Sequence, residues 1–67
     1  MDEQIIRLAI QTLDTEIQKE PQNARRYKER GRLYMMLGEN EAAIQDIRHA
    51  SDIDPSLMEQ IEGKYSI

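Results

Sequence analysis

Arg25, Lys28 and Arg32 follow one another at intervals of three and four residues, and Met35 continues the line three residues on. On a helix this spacing carries all four side chains to one face. Lys28 and Arg32, four apart, can converge on one carboxylate or phosphate through charge-assisted hydrogen bonds. Met35 adds an adaptable apolar contact beside them. The charge is locally dense: residues 25–32 hold Arg25, Arg26, Lys28, Arg30 and Arg32 against Glu29 alone, in a chain of net charge −4. A basic stripe on an acidic protein points to an anionic peptide segment, and the overall negative charge weighs against nucleic acid as the main partner. The competing reading is a solvated face, on which these cations make surface pairs worth about 0–1 kcal/mol each.

The remaining candidates for chemistry are weaker. The chain has no cysteine and one histidine, His49, which falls on the outward side of its helix. It lacks a second ligand at the three- or four-residue spacing a metal site requires, and Asp46 and Asp52 do not complete a set. Asp52-Ile53-Asp54 fits a helix stop before Pro55 better than a calcium loop, whose other oxygens are missing. Ser51, Ser56 and Ser66 have no base and orienting partner, and Gly31, Gly38 and Gly63 are too isolated to form a phosphate loop. Nothing here calls for a cofactor or a metal, and the chain reads as a non-enzyme.

The elements that must position the stripe are helical. Over Asp2 to Glu20, Ile5, Ile6, Ala9, Ile10, Leu13 and Ile17 recur with helical periodicity. Asp2 is placed to cap this helix and Pro21 to stop it. Asn23 is expected to cap a second helix, in which Ala24, Tyr27, Gly31 and Tyr34 form one stripe and Leu33 and Leu37 another. A helix with two packing faces sits between two neighbours. Gly38 ends it with the left-handed conformation that closes helix C-termini. A third helix from Glu41 directs Ala43, Ile44, Ile47, Ala50 and Ile53 inward, and Pro55 ends it. A short fourth helix is expected from Ser56, contributing Leu57, Met58, Ile61 and Tyr65.

Sixty-seven residues with three Tyr, no Phe and no Trp allow one domain with a thin core. Asp2 and Glu3 stand where a secretion signal carries cations, and the longest apolar run is far below the roughly 20 residues that cross a bilayer. The expectation is a soluble, cytoplasmic protein with no membrane segment.

Pro21 and Pro55 lie 34 residues apart, and Ala9, Ile10 and Leu13 are answered at that interval by Ala43, Ile44 and Ile47. A 34-residue period joining helix–turn–helix units marks tetratricopeptide repeats, and residues 24–57 resemble one complete repeat of that family. Tyr27 stands where the family prefers Trp, and Gly31 is the small residue of the helix crossing. Tyr34, Leu37-Gly38, Ala43, Ile47, Ala50 and Asp54-Pro55 also fall on the pattern. Arg30 departs from it, replacing an apolar residue, so contact with the preceding helix should be weakened or partly solvated. Residues 1–20 then resemble the second half of a preceding repeat and 56–67 a C-terminal capping helix.

The resemblance implies an all-α, antiparallel helix-turn-helix repeat of four helices, the last one short, in a single domain over 1–67. It implies that first helices line a concave surface, which assigns Arg25, Lys28, Arg32, Met35 and Met36 to partner binding. The function expected is protein–protein interaction with an acidic peptide. The alternative is a self-associating architectural module, or a segment of a longer array. Units of this type do not bury their faces alone, so a homodimer is also expected. Nucleic acid is the runner-up partner class, with Tyr27 and Tyr34 as stacking residues set among the basic ones.

Overall fold

The computed structural model describes residues 2–57, which form α1 (Glu3–Lys19), α2 (Ala24–Met36) and α3 (Asn40–Ile53). There is no strand among the described residues, so the chain is all-helical there, as expected. The expected fourth helix lies, apart from Ser56 and Leu57, outside the described residues. α2 packs against both α1 and α3, which makes it the central element and explains its two apolar stripes.

α1 begins as the sequence suggests. Asp2 Oδ1 accepts a hydrogen bond from the Gln4 N–H at 3.0 Å, satisfying one of the first-turn amides that no carbonyl can reach. Before Pro21, Glu20 leaves helical geometry while its N–H still donates to the Glu16 carbonyl at 2.9 Å. The buried line is Ile6, Ile10, Leu13 and Ile17. Ile5, expected to join it, is 58% exposed. It sits about 100° around the helix from Ile6, and α2 covers only one stripe of α1.

The turn into α2 is pinned by Tyr27, whose hydroxyl donates to the Pro21 carbonyl at 3.1 Å. Asn23 occupies the cap position but makes no capping side-chain bond, contrary to expectation. Its side-chain amide points back to Glu20 Oε1 at 3.5 Å instead. At the other end Gly38 has φ +77°. The Glu39 N–H donates to the Tyr34 carbonyl at 2.9 Å and the Gly38 N–H to Met35 at 3.0 Å, the paired closure that needs a left-handed residue at this position. α3 starts at Asn40, one residue before the expected Glu41.

The seam between α2 and α3 is built from small residues. Gly31, Ala24, Ala43 and Ala50 are buried, the last two to 1% and 2% exposure. A Cβ on Gly31 would stand 3.2 Å from the Ala43 carbonyl oxygen, so the two backbones meet with no room for a side chain between them. Ile44, assigned to the inward set, is 51% exposed. The seam runs through Ala43, Asp46 and Ala50, and Ile44 lies beyond its edge.

Burial raises the Tyr34 phenol above its ordinary value, mainly by desolvation. The folded state therefore holds this proton more tightly than the unfolded chain. Its contribution is complete below the unfolded value near 10 and is lost as pH rises through the folded one. Stability measured by urea titration should fall above about pH 10, and Tyr34→Phe should lessen that fall. An identical alkaline loss in the variant would assign it to other groups.

Candidate interaction face

Arg30 organises the helices that carry the stripe. Its Nε and Nη2 donate to Asp46 Oδ2 and Oδ1 on α3 at 2.8 and 2.7 Å, and its Nη1 donates to Asp14 Oδ1 on α1 at 2.8 Å. One guanidinium thus ties all three helices, with its side chain only 20% exposed. The contact with the preceding helix is therefore a charged hydrogen bond that is partly solvated, as expected, the Asp14 side chain being 46% exposed. The paired carboxylates raise the Arg30 guanidinium above its already high value, Asp46 contributing most.

Arg26 is also committed internally. Its Nη2 lies 3.1 Å from Glu16 of α1 and its Nη1 3.7 Å from Glu29. Glu29 is thereby engaged with Arg26. Among the described residues, Arg25, Lys28 and Arg32 have no carboxylate within ion-pair distance. Helix α2 sorts its cations by face: Arg26 and Arg30 hold the fold, and the other three project outward.

Arg25 and Arg32 are exposed, and Lys28 is half-buried. With Glu29 and Leu57 they line a shallow recess of about 260 Å³. Met35, 53% exposed, extends the α2 line without lining that recess. Met36 does not join it. It lines a larger, mainly apolar groove of about 560 Å³ between α1 and α2, with Ala9, Thr12, Leu13 and Leu33. Arg32 borders both depressions. Of the five residues assigned from sequence, Arg25, Lys28 and Arg32 thus line a cationic recess, Met36 lines an apolar groove, and Met35 lines neither.

Tyr27 is half-buried, and its ring stacks on His49 with centroids 4.2 Å apart and planes tilted by 40°. The Arg30 guanidinium carbon lies 5.7 Å from the same ring centre. His49 is exposed as expected, yet it serves as a lid on Tyr27, a role that periodicity did not reveal. Among the described residues no three His, Cys, Asp or Glu side chains gather as a metal site would require, and no helix is long and apolar enough to cross a membrane.

Sequence reasoning missed the Arg30 clasp. Asp14 and Asp46 each lie sixteen residues from Arg30, a separation with no local signature. The only hint was a cation at a position where the repeat pattern wants an apolar side chain. Comparison of the chain with protein-family models, curated proteins and solved structures returns no match.

Proposed function

We propose that this chain is a protein-interaction module, not an enzyme, that holds an acidic peptide segment against Arg25, Lys28 and Arg32 with Met35 beside them. The observation that carries the reading is the sorting of cations on α2. Had the stripe been a self-neutralised surface, carboxylates would stand within ion-pair distance of its cations. Glu29, although it borders the recess, is engaged with Arg26, and Glu16 and Asp14 of α1 pair with Arg26 and Arg30, so that among the described residues three adjacent cations are left to an outside anion.

In this reading α2 and α3 are the two helices of a tetratricopeptide-type unit, and α1 is the second helix of the unit before it. Three features support it: the side-chain-free crossing at Gly31, the Tyr27 anchor on the Pro21 turn and the left-handed closure at Gly38. The setting proposed is cytoplasmic.

The test is fluorescence anisotropy with a labelled oligoglutamate peptide bearing a free C-terminal carboxylate. Binding should weaken as salt rises, since exposed charges are screened. Lys28→Glu combined with Arg32→Glu should weaken it by about ten-fold or more, because each reversal removes an exposed pair of up to about 1 kcal/mol and puts a like-charge repulsion of similar size in its place. Arg48→Glu combined with Gln18→Glu and Gln45→Glu, at exposed positions away from the stripe, makes the same change of −4 and serves as the control for net charge. Equal affinity of the double variant and the wild type would remove the stripe from the function.

A further inference from the structure

α1 carries a second face that no described helix covers. Ile5, Leu8, Thr12 and Thr15 recur at alternating spacings of three and four residues, the pattern that keeps a seam turned toward a partner helix. All four are exposed, Ile5 by 58% and Leu8 by 61%. The threonines prolong the apolar line rather than interrupt it. Thr12 Oγ1 donates to the Leu8 carbonyl at 3.1 Å and Thr15 Oγ1 to the Gln11 carbonyl at 3.3 Å. Each hydroxyl is satisfied by its own helix, and the methyl group becomes the outward part of the side chain. Thr12 also stands on the lip of the α1–α2 groove, beside Ala9, Leu33 and Met36.

We propose that this face is a self-association surface, on which α1 of a second copy packs antiparallel about a two-fold axis near the middle of the helix. This register sets Leu8 of each copy on Thr12 of the other, at the mouth of the apolar groove, and Ile5 on Thr15. Charge selects the orientation. The seam runs on to Lys19 at one end of α1, while Asp2 and Glu3 stand at the other, Glu3 also accepting a hydrogen bond from Arg7 Nε at 3.0 Å. Antiparallel pairing brings Lys19 of one copy to the acidic end of the other, twice over, and opposes the two helix dipoles favourably. Parallel pairing stacks Lys19 on Lys19. A two-fold interface is self-complementary and closed, so assembly stops at the dimer. The seam is short, which puts it among weak, reversible interfaces. Arg32 borders the groove, but Arg25 and Lys28 lie outside it, so the Arg25–Lys28 side of the cationic recess stays accessible in the dimer.

Sedimentation equilibrium of the chain over a concentration series should show the mass rising from 7.9 kDa toward twice that value. Leu8→Glu, at an exposed position, should keep its helical circular dichroism and weaken dimerisation by about ten-fold or more, since it sets a carboxylate against an apolar contact. The chain has no cysteine, so oxidising an equimolar mixture of Leu8→Cys and Thr12→Cys chains reports the register. The mixed 8–12 disulfide should predominate. A 7.9 kDa species at every concentration overturns the proposal and leaves the face to a different chain. A dimer that Leu8→Glu does not weaken, or a predominance of 8–8 disulfides, overturns it as well.

Discussion

Replacing Arg30 with Met is expected to lower the unfolding free energy by about 3–5 kcal/mol, the usual cost of stranding a buried charge. Asp46 is the reason. It is 7% exposed, and both its oxygens receive their hydrogen bonds from Arg30. Without the guanidinium the carboxylate must stay charged and unpaired in the α2–α3 seam, take up a proton, or pull the seam open toward water. Small domains lie toward the low end of the roughly 5–15 kcal/mol range of stabilities, so a loss of this size moves the urea midpoint far to the left. Circular dichroism during urea titration measures it.

Companion variants separate charge from packing. Arg30→Met with Asp46→Leu should regain most of the loss, because an apolar pair of similar volume often replaces a buried ion pair at little cost. A double variant as unstable as the single one would place the loss in packing. Arg30→Lys should recover little, since one ammonium cannot match the two-pronged contact with Asp46 and reach Asp14 as well. Asp14→Asn should be mild, its side chain being 46% exposed. The clasp should also withstand alkali. A cation whose folded pKa is raised contributes fully below its unfolded value and loses that contribution only as pH rises through the folded one. For arginine both lie above the working range.

The second large effect is expected at Gly31. Gly31→Leu should destabilise by about 1–3 kcal/mol or more, as overpacking a filled seam does. Gly31→Ala is the more discriminating substitution, because two terms oppose. Helix propensity favours Ala over Gly by about 1 kcal/mol. Against it, the added Cβ meets Ile47 Cγ1 at 3.0 Å and the Ala43 carbonyl oxygen at 3.2 Å. The isoleucine can turn aside, but the carbonyl belongs to the backbone of α3 and yields only if the helix moves. The clash is expected to win, lowering the thermal midpoint. A raised midpoint in Gly31→Ala would mean that α2 and α3 pass with more room than their contact implies.

What the sequence determined by itself was local. Pro21 and Gly38 act through their own backbones, the one by lacking an N–H and restricting its predecessor, the other by adopting φ +77° without strain. Asp2 caps through an atom two residues from its target. The helical period alone marks the apolar side of α1 on which the buried Ile6, Ile10, Leu13 and Ile17 lie. These features depend on neighbours within about a turn, and so they could be read along the chain.

Tertiary structure decided which of several periodic positions meets a neighbour and which cation meets an anion. Ile5 and Ile44 share the period of the core yet stand in the open, because a helix presents a whole circumference while its neighbours cover only a part. The five basic residues between 25 and 32 are indistinguishable as charges. Only the placement of Asp14, Glu16 and Asp46 on flanking helices commits Arg26 and Arg30 to the fold. Met36 parts from Met35 for the same reason: one residue along a helix is about 100° around it, enough to turn from the cationic face to the groove beside α1.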